Sequence, residues 1–313
     1  MTLLRIATRG SRLALAQSRW VAVRIEAALG VATELVAVRT SGDRLQDVSL
    51  AEVGGKGLFV KELEDALLAG RAELAVHSAK DLPARLPDGL VLAAFPERAD
   101  PRDALVSGGR VRALAALPRG ARVGTGSARR AALLRAQRPD LQVAALRGNV
   151  TTRLDRLDAG RAGDGALQAV ILACAGLDRL GLAERIDERV DAGVLLPAVG
   201  QGVLAIEARA GEPLAEDLAA LTHADTARAI AAERAFLARL QGDCNVPLAA
   251  FAEAVGPARL RLRGLVARPD GRRVVRGEAE GADPAALGDE VAEKLLAQGA
   301  REILAALRAG AAP

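Results

Sequence analysis

The chain has 313 residues, of which 50% are hydrophobic, 43 are basic and 39 are acidic. A formal net charge of +4 is too small to argue for nucleic acid, and an aromatic content of 2% leaves few rings for stacking bases. The sequence shows no secretory leader and no bilayer-spanning run, so we expect a cytoplasmic protein that binds neither nucleic acid nor membrane. Two cysteines and two histidines, without a Cys-x-x-Cys motif, favour neither disulfides nor a metal site.

Strand and helix patterns alternate through the first two thirds of the chain and predict α/β architecture. Turn-rich segments at residues 95–103 and 195–202 interrupt the alternation, which suits two crossovers between two α/β lobes that bind a ligand. The predicted strands are residues 3–8, 33–39, 73–77, 121–124, 142–146, 168–173 and 203–208, and helices are predicted over residues 11–29 and 59–69.

The last part of the chain changes character and predicts a C-terminal α+β domain. Helices are predicted over residues 226–240 and 284–307, with strands through Phe251 and over residues 260–266. The spacing of residues 222–225 is that of a capping box, and Gly242 can end the first of these helices.

The two cysteines lie in contrasting surroundings. Cys174 is part of the apolar run 169–175, which predicts a buried strand and a packing role. Cys244 lies on a loop between a helix and a strand, where a thiol can take part in covalent chemistry or remain an unreactive surface group. Cys244 is therefore the candidate for function.

Basic residues recur just beyond the carboxyl ends of predicted strands. Such ends form the ligand crevice of open α/β sheets, and the helices that follow offer free amides to anions. The turns concerned are residues 8–11, 124–130, 147–153 and 176–179. Neither glycine-rich turn, 54–57 or 124–127, has P-loop spacing, and no dinucleotide fingerprint opens a helix. The pattern favours an anionic ligand that is not a nucleotide.

Lys80 and Asp81 directly follow the predicted strand 73–77 and form the sharpest acid-base candidate. Nearby cations favour the ionised form of Asp81, which suits stabilising a developing positive charge. An exposed ion pair on a loop is the alternative interpretation. His77 alternates with apolar neighbours, which indicates a hydrogen-bonded strand residue rather than a base.

Five segments resemble the porphobilinogen deaminase family, also called hydroxymethylbilane synthases, and they follow the family's order along nearly the whole chain. They are residues 7–11, 53–64, 76–81, 146–150 and 196–202. The resemblance implies two lobes with mixed sheets like those of periplasmic binding proteins, joined by two crossovers, and a C-terminal α+β domain. The implied boundaries are 1–98 with 200–218 for lobe 1, 99–199 for lobe 2 and 219–313 for the third domain.

The resemblance also implies a transferase of tetrapyrrole and heme biosynthesis. Such an enzyme condenses four porphobilinogen molecules head to tail, losing ammonia each time, and releases hydroxymethylbilane by hydrolysis. One dipyrromethane cofactor per chain is joined through a thioether to the residue matching Cys244. The residue matching Asp81 stabilises the cation that ammonia loss creates. We expect a monomer whose product passes to the next tetrapyrrole enzyme.

Motif positions assign further roles by the same resemblance. The residues expected to bind cofactor are Ser78, Lys80, Thr125, Ser127, Arg129, Arg130, Gly148 and Arg153. Those expected to bind substrate are Arg9, Ser11, Gln17, Arg147, Arg153, Arg179 and Gln201, and Lys56 and Phe59 are expected in a lid. No metal is implied.

Two departures from the family pattern affect these assignments. Asp243 stands beside the attachment thiol and should raise the pKa of Cys244. Gly126 stands where the family has a hydroxyl, which removes one side-chain donor. A non-catalytic, two-lobed anion receptor or effector-binding protein is the alternative function, and a loop thiol would have no purpose in it.

Overall fold

A computed structural model describes residues 3–38, 60–160, 166–242 and 246–310 of the chain. It divides into unit 1, Met1–Ala99 with Gly202–Arg228, and unit 2, Asp100–Gln201 with Ala229–Pro313. None of the helices in the described ranges is long and apolar enough to cross a membrane. The predicted lid residues Lys56 and Phe59, and Cys244 with its neighbour Asp243, lie outside the described residues.

The described strands and helices are numbered here in chain order. The strands are β1 Leu3–Arg9, β2 Ala32–Val38, β3 Leu74–Ser78, β4 Leu90–Ala94, β5 Asp103–Val106, β6 Arg122–Thr125, β7 Gln142–Ala145, β8 Ala169–Ala173, β9 Glu188–Val190, β10 Leu204–Arg209, β11 Leu248–Gly256, β12 Arg259–Ala267 and β13 Val274–Gly281. The helices are α1 Arg12–Leu29, α2 Lys61–Leu68, α3 Ala128–Gln137, α4 Val150–Ala159, α5 Cys174–Arg179, α6 Pro213–Leu218, α7 Ala224–Leu240, α8 Pro284–Leu295 and α9 Arg301–Arg308.

Two five-stranded sheets share one arrangement. The first, in unit 1, has the order β2-β1-β3-β10-β4, and the second, in unit 2, has the order β7-β6-β8-β5-β9. In each sheet three parallel strands are followed by one antiparallel strand, β10 or β5, that enters just after the chain has crossed from the other sheet. The prediction of mixed sheets joined by two crossovers is confirmed.

A third, antiparallel sheet of order β11-β12-β13 belongs to unit 2. One face packs on helices, since a Cβ at Gly264 would lie 2.6 Å from Phe236 of α7. The opposite face carries Phe251 and Leu265 into a hydrophobic core that also contains Leu105 and Leu133. The second and third sheets therefore share a core, and the three-domain boundaries stay a prediction.

Three local predictions need correction. Cys174 is buried as expected, but it begins α5 instead of continuing the strand. The backbone amide of Thr226 donates to Nδ1 of His223, so His223 caps α7 in place of Thr222. Residues 284–307 do not form one helix, because Gly299 has a φ of 102°, a left-handed conformation that breaks the turn between α8 and α9.

Gly288 allows α8 to cross closely over α7, and we expect Gly288→Ala to destabilise the protein. A Cβ at this position would lie 2.5 Å from the backbone oxygen of Ala232 and 2.7 Å from the backbone nitrogen of Phe236. Alanine gains about 1 kcal/mol of helix propensity, but backbone atoms cannot move aside, so the free energy of unfolding should fall by about 1–3 kcal/mol. Urea unfolding measures the change.

Gly256→Ala is the matched control, because a Cβ there meets nothing within 4 Å. Its free energy of unfolding should stay within about 0.5 kcal/mol of the wild type. Equal effects of the two substitutions would contradict the close helix crossing.

Candidate functional site

The first part of the candidate site lies where β1 and β3 of unit 1 end. These two strands are parallel neighbours, so their carboxyl ends meet at one edge of the sheet. A cavity of about 60 Å³ opens there and is lined by predicted site residues of both strand ends. Its polar lining residues are Arg9, Ser11, Gln17, His77, Ser78 and Asp81.

Local hydrogen bonds hold the walls of this cavity. The hydroxyl of Ser11 accepts from the backbone amide of Ala14 and so caps α1. The side-chain amide of Gln17, which is buried, donates to the hydroxyl of Ser78 at 3.2 Å. Lys80 and the exposed Asp81 follow in a single 3-10 turn after β3. The structure thus brings five predicted site residues of unit 1 to one cavity.

Next to this cavity lies a buried group of ionisable side chains that sequence reasoning missed. Nε2 of His77 lies 2.9 Å from Oε2 of Glu207 on β10, which confirms the prediction that His77 is a hydrogen-bonded strand residue. Glu64 of α2 is also buried, and one carboxylate oxygen each of Glu64 and Glu207 has no hydrogen-bond partner. Burial, with the charge of Glu207, raises the pKa of Glu64 to about 7.

The second part of the candidate site lies at the carboxyl ends of β6 and β7, parallel neighbours in unit 2. Thr125 ends β6, and the hydroxyl of Ser127 accepts from the amide of Arg130 to cap α3. After β7, Nε of Arg153 donates to the backbone oxygen of Gly148, which has a φ of 99°. These strand ends also carry Arg147.

Arg129 and Arg130 form a buried ion cluster with Asp103, and this cluster was not predicted. Arg129 contacts both carboxylate oxygens of Asp103 at 2.8 and 3.1 Å, and Nη2 of Arg130 lies 2.7 Å from one of them. The amide of Gln201 donates to the same oxygen at 2.8 Å. Burial alone would raise the pKa of Asp103, but the two guanidinium groups outweigh it and hold that pKa well below its usual range. Any ligand role of these arginines must share their donors with Asp103.

Two further predicted residues have different surroundings. Arg179 ends α5 and is partly buried, and burial lowers its pKa to about 10. A side chain at Gly126 would place its Cβ 2.5 Å from the backbone oxygen of Leu146, so this chain uses a glycine where two strand ends approach closely. In the part of the chain that the structure describes, no group of His, Cys, Asp or Glu could hold a metal ion.

The chain leaves α7 towards Cys244 through a tightly packed turn. Gln241 has a φ of 49°, its amide donates to the backbone of Ala238, and the amide of Gly242 donates to that of Leu237. This is a Schellman ending, with Gln241 and not Gly242 in the left-handed position. Gly242 is needed for space, because a Cβ there would lie 2.1 Å from Leu248.

Cationic and hydroxyl side chains at the carboxyl ends of parallel strands in both mixed sheets are typical of α/β proteins that bind anionic ligands. Comparison with known sequences then identifies the family. Residues 4–217 match the family model described as porphobilinogen deaminase, dipyromethane cofactor binding domain, and residues 227–297 match porphobilinogen deaminase, C-terminal domain. The chain belongs to the porphobilinogen deaminase family, which is a family of transferases.

Curated relatives match this chain over nearly their whole length. The porphobilinogen deaminase of Syntrophotalea carbinolica is 51% identical over 308 residues, covering 97% of this chain and 96% of its own. That of Acidithiobacillus ferrooxidans is 51% identical over 311 residues, covering 97% and 98%. The solved methionine-binding protein MetQ is far less similar, at 14% identity and a TM-score of 0.40 over 69% of this chain and 86% of its own, too little to bear on function. The family supports the enzyme and gives the receptor alternative no support.

We expect Asp103→Asn to destabilise the protein strongly, because the substitution keeps the shape of the side chain and removes the counter-charge of two buried guanidinium groups. The free energy of unfolding at pH 7 should fall by about 3–5 kcal/mol, measured by urea unfolding. Because the pKa of Asp103 is lower in the folded state, its stabilisation exists above about pH 4 and is lost as the pH falls further. The difference between the variant and the wild type should therefore shrink in acid.

Asp140→Asn is the control for that substitution. Asp140 pairs with Arg138 at 2.7 Å, but both side chains are partly exposed. The control should therefore lose far less stability than Asp103→Asn. Losses of similar size would show that the Asp103 cluster is not energetically special.

We expect Glu64→Gln to change the pH dependence of stability in the opposite direction. The pKa of Glu64 is raised to about 7 in the folded state. Its contribution is therefore fully present below about pH 4.3 and is lost as the pH rises through about 7. The variant should be more stable than the wild type by up to about 3 kcal/mol at pH 8, and little different at pH 4.

Thermal unfolding across this pH range measures the difference between the two proteins. Asp88→Asn, at an exposed turn of the same unit, is the control and should follow the wild type at every pH. A Glu64→Gln variant whose stability parallels the wild type from pH 4 to 8 would contradict the raised pKa.

Proposed function

We propose that this chain condenses four porphobilinogen molecules head to tail onto a covalently held dipyrromethane, with loss of ammonia each time, and releases hydroxymethylbilane by hydrolysis. The observation that carries the proposal is the cavity where β1 and β3 end, because Asp81 faces it together with Arg9, Ser11 and Gln17. Porphobilinogen has two carboxylates, which suit the cationic and hydroxyl donors. It becomes a cation when it loses ammonia, which suits the carboxylate.

Asp81 is the proposed catalytic residue. Loss of ammonia from the aminomethyl group leaves a positive charge that is shared with the pyrrole nitrogen. A carboxylate that accepts a hydrogen bond from that nitrogen stabilises the charge as it develops. The hydrogen bond from Gln17 to Ser78 orients two other lining side chains, so that the substrate meets donors whose positions are already set.

The donors of unit 2 fit a cofactor that carries several carboxylates. Hydroxyls of Thr125 and Ser127 and the guanidinium of Arg153 lie at the ends of neighbouring parallel strands, and α3 adds the free amides of its first turn. When bound, dipyrromethane supplies the pyrrole carbon that attacks the activated substrate. We assign its attachment to Cys244 and its carboxylates to Ser78, Lys80, Thr125, Ser127, Arg129, Arg130, Gly148 and Arg153.

The substrate carboxylates are assigned to a second set of residues. It consists of Arg9, Ser11, Gln17, Arg147, Arg153, Arg179 and Gln201, with Lys56 and Phe59 in a lid. The proposal includes the three domains 1–98 with 200–218, 99–199 and 219–313, a monomeric state, a location in the cytoplasm and hand-over of the product to the next enzyme. Membership in a biosynthetic enzyme family and the modest net charge of +4 support these last points.

Intact mass under denaturing conditions, combined with an ammonia-release assay, tests the proposal. Protein from cells that make porphobilinogen should be heavier than its sequence by one dipyrromethane, and Cys244→Ser should lack that adduct. Asp81→Asn should keep the adduct and release ammonia roughly 100-fold more slowly or worse, because it loses the charge that stabilises the cation.

Two matched variants serve as controls. Cys174→Ala should keep the adduct, since Cys174 is buried and burial raises the pKa of its thiol to about 12. Asp88→Asn, at an exposed turn of the same unit, should release ammonia at the wild-type rate. A wild-type mass equal to the bare chain, even after incubation with porphobilinogen, would overturn the cofactor assignment, and normal rates in Asp81→Asn would remove Asp81 from the mechanism.

A further inference from the structure

A second, larger cavity of about 340 Å³ lies in unit 2, and none of the residues assigned above to cofactor or substrate lines it. Its walls are the segment 192–196, which follows β9, and one face of the three-stranded sheet. Three charged side chains line it, Arg263 of β12 with Arg276 and Glu278 of β13, and Ala192 and Leu196 add apolar surface. This volume is at the lower end of the range for small-molecule sites.

The register of the sheet places the three charges on one face. Arg263 is paired with Glu278, and Leu265 is paired with Arg276. Paired residues in adjacent strands share a face, as do residues two apart along one strand. Two guanidinium groups and one carboxylate therefore surround the same space from adjacent strands.

Arg263 carries a buried donor that needs an acceptor. Its Nη2 lies 3.2 Å from a carboxylate oxygen of Glu253, and its guanidinium carbon lies 5.5 Å from the ring centre of Phe251. Its Nε is buried and has no hydrogen-bond partner. Buried donors are almost always satisfied in folded proteins, so an unsatisfied one beside a cavity indicates a missing acceptor.

Arg276 and Glu278 also keep their charged groups available. In the described ranges neither side chain forms an ion pair or a hydrogen bond through its charged group. Desolvation lowers the pKa of Arg276, and no carboxylate offsets that effect. Both side chains are exposed, so a ligand carboxylate could pair with Arg276 and a ligand ammonium with Glu278 without breaking an existing ion pair.

We propose that this cavity binds an aminodicarboxylate, a small molecule with two carboxylates and one ammonium, and that its ligand in this protein is a second molecule of porphobilinogen. One carboxylate pairs with Arg263, the other with Arg276, and the ammonium with Glu278. The pyrrole ring lies against Leu196 and Ala192. The choice of porphobilinogen within this class rests on the proposed function, whereas the class itself rests on the charges around the cavity.

The cavity shares one residue with the buried ion cluster. The backbone oxygen of Leu196 accepts from Nη1 of Arg129 at 2.6 Å, and Arg129 is bound to Asp103. A ligand against Leu196 therefore contacts the segment that holds Arg129 in place. A second molecule that shifts Leu196 would therefore also shift Arg129, which is assigned to the cofactor.

Calorimetric titration of porphobilinogen into the Asp81→Asn holoprotein tests the proposal, because this variant should bind the substrate but consume it roughly 100-fold more slowly than the wild type or worse. Two binding events per chain are expected. Adding Arg276→Gln should weaken one of them roughly ten- to hundredfold and leave the other unchanged, because one charged hydrogen-bonding partner is lost. Adding Arg272→Gln, at an exposed position of the same hairpin, should change neither event.

Two simpler ligands distinguish a general aminodicarboxylate site from a site for porphobilinogen. L-glutamate has the same three charges without a pyrrole, and succinate lacks the ammonium. Glu278→Gln should weaken binding of porphobilinogen and glutamate at the second site but not binding of succinate, because only the amines lose a counter-charge. Succinate binding that weakens equally would overturn the role of Glu278, and glutamate that binds as tightly as porphobilinogen would overturn the assignment to porphobilinogen.

Different experimental results would overturn the second site and the proposed function. A single binding event that Arg276→Gln leaves unchanged, in a protein whose wild type carries the adduct and releases ammonia, would overturn the second site alone. A wild type without adduct or ammonia release would overturn the proposed function. Binding of glutamate that depends on Arg276 and Glu278 would then still support an aminodicarboxylate site.

Discussion

A fully buried carboxylate, Asp103, is the constraint on which unit 2 depends. Burying one charge costs several kcal/mol unless opposite charges and hydrogen bonds compensate it, and here two guanidinium groups and an amide do so. Three separate segments meet here: β5, which carries Asp103 and enters the sheet after the first crossover, the first turn of α3, and Gln201 on the second crossover. Satisfying one carboxylate therefore fixes the position of both crossover segments in the unit.

Unit 1 contains a buried charge group with the opposite character. His77 and Glu207 form one close contact, but oxygens of Glu207 and Glu64 are left without partners. The pKa of Glu64 rises to about 7 because burial and the charge of Glu207 disfavour its ionised form and no cation of the described ranges pairs with it. The pKa of Asp103 is lowered because two guanidinium groups outweigh the effect of burial. The charges behind the unit 2 donors are thus fixed across the physiological range, while those behind the cavity that Asp81 lines respond to pH.

The sequence predicted those features that depend on a local pattern. Periodicity located α1, β1 and β12 but missed the eight-residue strand β13, and basic turns followed several of the predicted strands. It did not locate β5 or β9, which are four and three residues long, because short antiparallel strands are defined by their partners. Asp103 was missed for the same reason: its charge directly precedes three apolar residues, but only the tertiary fold brings Arg129 and Gln201 to it.

The segments on either side of Cys244, the proposed attachment residue, are held in place by packing and hydrogen bonds. Gly242 packs against Leu248 where α7 ends, and Glu233 of the same helix accepts backbone hydrogen bonds from Gly200 and Ala252. One helix thus fixes the second crossover, the first strand of the third sheet and the approach to the loop. A cofactor held covalently from such a base is confined to a small volume, and confinement raises its effective concentration at neighbouring donors without any added contact. Covalent attachment and the buried arginines are then complementary. Arg129 and Arg130 already pair with Asp103, so they need not bind the cofactor carboxylates tightly. The covalent bond at Cys244 keeps the cofactor near them instead.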